Sequence, residues 1–307
     1  MEADVLYVVG GLYGNLPALE ALLRMAECER GRVTLVFNGD FHWFDIDEAT
    51  YSVINAEVLC HAALRGNVET EIAGDNPAAG CGCAYPDWVT DEEVARSNAI
   101  SERLRVTARC FPRSRARLAG LAMHATARVG GVRIGIVHGD AHALAGWRYA
   151  QEMLQDKRER AALASDFSDA GCRIIASSHT CLPVAIDCAT AQGHCVLINN
   201  GAAGMPNFRD SRHGIVTRIA LTPSVHSAAL YATRLDNTVI EALPLHYDHA
   251  RWLRDFLANW PRGTPAHQSY FKRIAHGPAY GLEEAVRWRT VEAPDKPYRS
   301  ARERVGT

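Results

Sequence analysis

Polar residues that could bind a metal ion follow several short apolar runs of this chain. Asp40, Asn67, His138 and His179 each stand where such a run ends. Carboxylate, amide and imidazole groups together suit a divalent transition metal. Each residue also has an ordinary structural explanation, because an aspartate after a strand often caps a helix and a lone histidine is often a hydrogen-bonded core residue. The position of all four at predicted strand ends is what favours a shared site.

The first part of the chain predicts a β-α-β unit. Residues 5–9 and 33–37 are short, β-branched runs typical of buried strands, and leucines spaced for one helical face lie between them. A helical pattern over 48–63 and a short third strand at 62–65 follow. Parallel strands are the expected result, with their carboxyl ends at one edge of the sheet. The candidate ligands of this half are expected at that edge.

The second half repeats the arrangement of a strand followed by polar residues. Apolar runs at 132–137, 173–176 and 195–198 end at His138, near His179 and at a pair of asparagines. Three later runs predict further strands, the last two of them as an antiparallel hairpin: 216–221, 228–234 and 239–245.

Helical patterns occupy three other stretches. Residues 91–109 form one, with Thr90 as the candidate N-cap, and residues 249–259 and 266–275 form two amphipathic helices. Residues 74–90 are rich in glycine and proline, which predicts a loop.

The composition argues against several function classes. A formal net charge of -2 provides no long-range field that favours nucleic acid or anionic membrane. No apolar run reaches the roughly 18 residues that span a bilayer, and the N-terminus lacks a basic signal-peptide region. We therefore expect a cytoplasmic protein with neither nucleic-acid nor membrane partners. Its nine cysteines are expected as reduced thiols, including Cys81 and Cys83 in the loop.

Six segments around the candidate ligands resemble, in order, the motifs of the calcineurin-like metallophosphoesterase superfamily. The segments are 9–19, 38–40, 64–69, 137–140, 178–181 and 199–206. The corresponding motifs read Asp-x-His-Gly-Asn, Gly-Asp, Gly-Asn-His-Asp/Glu, an isolated histidine, Gly-His-x-His and Asn-Pro-Gly-Ser-x-Gly-x-Pro. The resemblance covers residues 5 to about 248 and implies an α/β fold, a layered α-β-β-α sandwich with mixed sheets.

The resemblance also implies a domain organisation. Residues 1–248 are expected to form the metallophosphoesterase-like domain. Residues 249–307 are expected as a C-terminal helical extension packed on the same domain, with a frayed end at 294–307.

One of the two metal pockets of the family has lost its ligands in this chain. The family binds one ion with the Asp and His of the first motif, the bridging Asp of the second and the last His of Gly-His-x-His. Those positions read Gly11, Tyr13, Asp40 and Cys181 here. The other ion is bound by that Asp, the Asn of the third motif and two histidines, and these ligands are kept: Asp40, Asn67, His138 and His179. The resemblance therefore implies one divalent ion, Mn, Fe or Zn.

The altered pocket allows two interpretations. Cys181 and Tyr13 could form a rebuilt site as thiolate and phenolate ligands, with His42 and Asp45 in the nearby loop. Alternatively, they fill the vacated space as a small hydrophobe and a packed aromatic. Val68 stands where the family has the histidine that protonates the leaving group or contacts the phosphate.

Three further residues are candidates for the chemistry. His42 could replace the lost acid or contact the phosphate, or it is a solvated loop histidine. Asp140 could hold His138 in the required tautomer, or it caps a helix. Arg209 could contact an anionic substrate, or it forms a surface salt bridge.

Two functions are consistent with this pattern. The first is a divergent phosphoesterase that hydrolyses a small phosphate mono- or diester with a single metal ion. The second is a catalytically inactive protein of the same fold that binds a phosphorylated ligand or a partner on the old site.

Overall fold

The computed structural model describes residues 1–191 and 193–287. The strands, in chain order, are β1 (Val5–Val9), β2 (Val33–Asn38), β3 (Ala62–Leu64), β4 (His124–Val129), β5 (Val132–Val137), β6 (Ile174–Ser177), β7 (Pro183–Thr190), β8 (Gly193–Asn200), β9 (Gly214–Ala220), β10 (Tyr231–Leu235), β11 (Thr238–Leu245) and β12 (Val286–Arg287). The α-helices are α1 (Leu16–Glu27), α2 (Glu48–Val58), α3 (Asn67–Ala73), α4 (Asp91–Arg109), α5 (Pro112–Ala119), α6 (Lys157–Ala170), α7 (His249–Asn259), α8 (Pro265–His276) and α9 (Leu282–Ala285). Short 3₁₀ helices lie at Pro77–Ala79 and Met153–Gln155.

The first sheet has six strands in the order β10-β11-β9-β1-β2-β3. Strands β1, β2 and β3 run parallel, as the β-α-β pattern predicts. Strands β9, β11 and β10 add antiparallel neighbours, and the predicted hairpin is confirmed between β10 and β11. Asp236 in its turn has a φ of 53°, a left-handed conformation that aspartate tolerates better than most residues.

The second sheet also has six strands, in the order β12-β7-β8-β6-β5-β4. Strands β5, β6 and β8 are parallel neighbours. Strand β4 runs antiparallel to β5, and β7 runs antiparallel to β8 and parallel to β12. Both sheets are therefore mixed, and their parallel strands deliver polar residues to a common edge.

The side chains of β1 show how the layers are stacked. Tyr7 and Val9 belong to the apolar cluster between the first sheet and its covering helices. Leu6 and Val8 point the other way, into a second cluster between the two sheets. A third cluster, which includes Phe167 of α6, covers the outer face of the second sheet. The α-β-β-α sandwich implied by the sequence is confirmed.

Helices α7 and α8 occupy the two stretches that the sequence predicts as amphipathic helices. Trp252 and Phe256 pack on the ring of Phe44, with centroids 6.2 and 5.2 Å apart. The indole of Trp260 donates a hydrogen bond to the Phe44 carbonyl at 2.9 Å. The described part of the C-terminal region thus lies on the core of the preceding chain, while the predicted frayed end at 294–307 lies outside the described residues.

Across the described residues, no helix combines the length and the apolar character needed to cross a membrane.

Candidate metal centre

Asp40 lies in a tight turn directly after β2. Gly39 and Asp40 both have positive φ angles, 77° and 52°. A Cβ atom on Gly39 would lie 2.5 Å from the Gly66 nitrogen, so only glycine fits there. The turn brings Asp40 Oδ2 to 3.3 Å from His138 Nε2. The other carboxylate oxygen accepts the Val68 N–H at 3.2 Å.

A buried carboxylate holds this turn in place. Glu69 of α3 accepts the backbone N–H of Asp40 at 2.8 Å and that of Phe41 at 3.0 Å. The same side chain accepts the N–H of Gly66 at 2.9 Å, at the start of its own helix. Burial raises the pKa of Glu69, and the nearby Asp40 carboxylate raises it further. Glu69 therefore links the turn at Asp40 to the start of helix α3 through hydrogen bonds.

Asn67, the first residue of α3, presents its amide oxygen to the site. Its Nδ2 donates to the Cys81 carbonyl at 2.9 Å, and this bond assigns the orientation of the amide. Oδ1 consequently lies 3.2 Å from His138 Nε2.

The two histidines are each held by a backbone carbonyl. His138 follows β5, and its Nδ1 bonds the Asn38 carbonyl at 2.8 Å. His179 follows β6, and its Nε2 bonds the Cys83 carbonyl at 3.2 Å. Because a carbonyl only accepts hydrogen bonds, those nitrogens carry the protons of the neutral rings. The opposite nitrogens then direct their lone pairs at one another across 3.1 Å.

The four inward atoms have the spacing of a metal coordination shell. His138 Nε2 lies 3.3 Å from Asp40 Oδ2, 3.2 Å from Asn67 Oδ1 and 3.1 Å from His179 Nδ1. Ligands that bind one ion at about 2.0–2.2 Å are themselves about 3–3.5 Å apart. Ligand atoms of Asp40, His138 and His179 all lie within 4.8 Å of one another. With both imidazole rings neutral, the lone pairs of the four acceptor atoms repel one another. A cation bound between them removes this repulsion, so these residues fit a divalent ion.

The electrostatics of the cluster also favour a positive charge. Burial lowers the pKa of His138, but the Asp40 carboxylate outweighs burial and the net pKa is raised. Burial raises the pKa of Asp40, and the charge on His138 brings the net value below its ordinary range. Burial and the charge on His138 lower the pKa of His179 to about 4. A proton on His138 Nε2 is therefore the competitor of a metal ion.

The neighbouring pocket is filled by packed side chains. Tyr13 Oη and Cys181 Sγ lie 2.8 Å apart, and burial raises the pKa of both groups, so both are neutral near pH 7. A Cβ atom on Gly11 would lie 2.7 Å from Cε2 of Tyr13, so the tyrosine ring occupies the space of the missing side chain. Among the described residues, the group of potential ligands around Asp40 does not include Cys181. The packing supports the filled pocket over the rebuilt one.

Aromatic side chains surround the mouth of the site. A narrow cleft of about 30 Å³ opens beside the ligands. Its aromatic lining residues are Tyr13, Trp43, Tyr85, Trp147 and Tyr270. The Trp147 ring lies 5.2 Å from that of His179 and its Nε1 donates to the Cys83 carbonyl at 2.9 Å. Val68 also lines the cleft.

His42 does not face this cleft. It is fully buried, with Nδ1 2.5 Å from Asp45 Oδ2 and its ring stacked on Tyr51 at 4.3 Å. Burial lowers the pKa of His42, but Asp45 reverses the shift and the pKa is raised. This burial corrects the expectation of a solvated loop histidine. His42 is also not among the residues that line the cleft, where a replacement acid or a phosphate contact would lie, and it forms a buried pair with Asp45 instead.

Asp140 is not the partner of His138. Its Oδ1 accepts the N–H of His142 at 2.8 Å and that of Ala143 at 3.0 Å, and its Oδ2 accepts the N–H of Arg148 at 3.3 Å. Asp140 thus organises the loop after β5 and caps no helix. The tautomer of His138 is set by the Asn38 carbonyl instead.

Arg209 is exposed and does not line the cleft. The basic residue beside the filled pocket is Arg273 of α8, which sequence reasoning missed. Its Nη2 donates to the Cys181 carbonyl at 2.7 Å and its Nε to the Pro206 carbonyl at 3.0 Å. Glu69 was also missed, although it stands at the acidic position of the third motif and could have been found there.

Comparison with known proteins agrees with this architecture. No protein-family model matches the sequence, and no curated protein matches it. The structure is similar to that of a hypothetical protein from Pyrococcus horikoshii, with 15% identity, a TM-score of 0.61, and coverage of 91% of this chain and 100% of that chain. It is also similar to a metallophosphoesterase from Sphaerobacter thermophilus, with 16% identity, a TM-score of 0.57, and coverage of 89% and 100%. The chain has the metallophosphoesterase fold that its six motifs imply.

Proposed function

We propose that this protein is a metal-dependent phosphoesterase that hydrolyses a phosphate mono- or diester with one divalent ion. The ligands are Asp40, Asn67, His138 and His179. The observation that carries the proposal is the convergence of four acceptor atoms at coordination spacing, each fixed by a bond to the backbone or by its turn. Two nitrogen and two oxygen donors suit Mn, Fe or Zn.

Each residue has a definable task in this function. A divalent ion bound there supplies Lewis acidity, which polarises a phosphate oxygen and lowers the pKa of a water molecule. The Asp40 carboxylate provides the negative charge of the ligand set. The carbonyls of Asn38 and Cys83 keep both imidazoles in the tautomers that ligation requires. The aromatic lining limits the amount of bulk water beside the ligands, which strengthens the electrostatic interactions within the cleft.

Val68 limits which substrates can react quickly. A positioned general acid typically contributes 10²- to 10⁴-fold to a rate, and valine cannot donate a side-chain proton. The hydroxyl of Tyr13 and the thiol of Cys181 hydrogen-bond to each other, so neither is placed to donate a proton to a leaving group. We therefore expect esters with leaving groups that depart without protonation, such as p-nitrophenolate, to react fastest.

A second function is favoured by the same filled pocket. A protein that binds a phosphorylated ligand without cleaving it would also have the Tyr13–Cys181 contact and the narrow cleft. Such a protein would keep the metal-dependent affinity for phosphate and lose turnover.

Hydrolysis assays separate the two functions. The purified protein is loaded with Mn, Fe(II) or Zn and tested on p-nitrophenyl phosphate and bis-p-nitrophenyl phosphate. Metal-dependent release of p-nitrophenolate that disappears in His179→Ala supports the esterase. The matched control is His124→Ala, a histidine exposed on β4, which should retain the activity.

Absence of turnover with every metal, together with metal-dependent binding of phosphate, would establish the binding protein instead. Turnover that survives in His179→Ala would contradict the proposed site.

A further inference from the structure

The cleft beside the four candidate ligands is too small to hold a whole substrate. Its volume of about 30 Å³ leaves room for only a few water molecules. Phosphate oxygens can reach an ion there, but the organic substituent of a phosphate ester has to lie outside, over the rim of the cleft. The side chains of the rim therefore decide which substituents bind well.

The rim is aromatic on the side of His179. Between ring centroids, Trp147 lies 5.2 Å from His179, 5.7 Å from Tyr85 and 6.4 Å from Trp88. We call Tyr85, Trp88 and Trp147 the aromatic rim. Among the described residues, those that line the cleft include no lysine or arginine. This side of the cleft therefore suits an uncharged, planar group better than a second anionic one.

Hydrogen bonds fix two rings of the aromatic rim. Nε1 of Trp147 donates to the Cys83 carbonyl at 2.9 Å, and the same carbonyl accepts Nε2 of His179. The Tyr85 hydroxyl and the Ser97 hydroxyl of α4 hydrogen-bond at 2.9 Å. Rings held in this way lose little freedom when a ligand packs on them, so the aromatic rim is preorganised for binding.

Trp88 completes the aromatic rim and remains open to solvent. The residue is 50% exposed, and its ring meets that of Trp147 at an interplanar angle of 87°. It stands in a turn before α4, in which the Val89 N–H donates to the Pro86 carbonyl at 3.0 Å. A ring that packs on Trp88 removes apolar surface from water and gains the attraction between aromatic groups, and both effects stabilise a complex.

We propose that the aromatic rim binds a planar ring in the organic substituent of the phosphate ester. The phosphate oxygens bind the ion in the candidate metal centre, and the ring packs on Trp88 and Trp147. The substrate class is thus a phosphate ester with an aromatic or heteroaromatic ring in its organic part, a class that includes nucleotides. The inference rests on the proposed single-ion site and adds the substrate class of that site.

The test uses two phosphonates that a phosphoesterase cannot hydrolyse, because a P–C bond replaces the ester bond. Benzylphosphonate carries an aromatic ring, and cyclohexylmethylphosphonate carries a saturated ring with the same number of carbon atoms. The metal-loaded full chain is titrated with each by isothermal calorimetry, at a pH where both are dianions. We expect benzylphosphonate to bind about tenfold more tightly, because aromatic rings attract each other beyond the effect of the area that they bury.

Two variants complete the design. Trp88→Leu keeps an apolar side chain in the exposed turn and removes the aromatic face, so the preference for benzylphosphonate should fall to about threefold or less. Its affinity for Zn²⁺ should not change, because Trp88 is not among the residues that line the cleft. The matched control is Val225→Ala, an exposed residue beyond Ala220, which pairs with Val5 at the end of the first sheet away from the site. This control should keep the full preference.

Affinities for the two phosphonates within about twofold of each other, or a preference that survives in Trp88→Leu, would overturn this inference and leave the proposed function standing. Binding of an ion without binding of either phosphonate would also overturn it. Failure to bind any ion would overturn the proposed single-ion site, and this inference with it.

Discussion

Two groups of side chains lie beside Asp40 and differ in how their polar atoms are paired. We call the candidate metal site of Asn67, His138 and His179 the retained pocket, and the contact of Tyr13 with Cys181 the filled pocket. In the retained pocket, four atoms face one another that are all acceptors when both imidazoles are neutral. In the filled pocket, Tyr13 and Cys181 pair with each other, and the tyrosine ring covers Gly11. The filled pocket is therefore closed by packing, while the retained pocket has the spacing of a coordination shell.

The largest effect that we expect from breaking the retained pocket comes from Glu69→Ala. This change leaves the N–H groups of Asp40, Phe41 and Gly66 buried without their acceptor. Unpaired buried groups cost about 1–3 kcal/mol each, so we expect the free energy of unfolding to fall by about 3–5 kcal/mol. Chemical denaturation measures it, and metal affinity should fall with it.

The control for that change is Glu57→Ala, which removes a carboxylate from a partly exposed pair with His61 and should cost under about 1 kcal/mol. A Glu69→Ala protein as stable as this control would show that the turn around Asp40 does not depend on Glu69.

A double-mutant cycle tests whether the filled pocket is held by packing. Gly11→Ala should destabilise the protein by about 2–3 kcal/mol, because φ is 63° and the new Cβ meets the Tyr13 ring. In a Tyr13→Ala background the steric part disappears, and we expect the cost of Gly11→Ala to fall by about 1–2 kcal/mol. Additive effects in the cycle would contradict the packing account.

The pH dependence of metal affinity shows which of the two pockets binds the ion. The pKa of His138 is raised, so a proton competes with the ion below that pKa and is absent above it. Affinity should therefore fall about tenfold per pH unit below the pKa of His138 and level off above it, which isothermal titration at several pH values measures. His179, with a pKa of about 4, adds no proton in this range.

A Cys181 thiolate ligand would instead release a second proton at neutral pH, because burial raises the pKa of that thiol. A slope of two protons near neutrality would thus indicate a rebuilt pocket.

The smallest effect is expected for Tyr13→Phe. It removes the contact between Tyr13 Oη and Cys181 Sγ and keeps the ring in place. We expect a loss of about 1 kcal/mol in unfolding free energy and unchanged metal stoichiometry. A change in stoichiometry would show that the phenol takes part in ion binding.

Much of the fold was predictable from hydrophobic periodicity, and the exceptions have physical causes. Strand β4 is an edge strand with alternate residues exposed, and β7 begins with a proline and carries Asp187. Helices α5 and α6 are rich in charged residues and bury few apolar side chains. Elements that contribute little to a core leave only a weak pattern, and these four were not predicted.

The sequence predicts the parts of the site that are formed by side chains, but not the parts that are formed by backbone carbonyls. The six motifs point to the retained ligands because ligation restricts the residue type. The carbonyls of Asn38, Cys81 and Cys83 leave no such signal, since every residue has a carbonyl. The burial of His42 depends on its pairing with Asp45 and Tyr51, which neither motif nor periodicity reveals. Those residues therefore required the structure.

Anomalous X-ray diffraction from crystals grown with Mn²⁺ or Zn²⁺ tests the central claim most directly. The account predicts one anomalous peak, at about 2.0–2.3 Å from ligand atoms of Asp40, Asn67, His138 and His179. A second peak beside Tyr13 and Cys181, or no peak near His138, would contradict it.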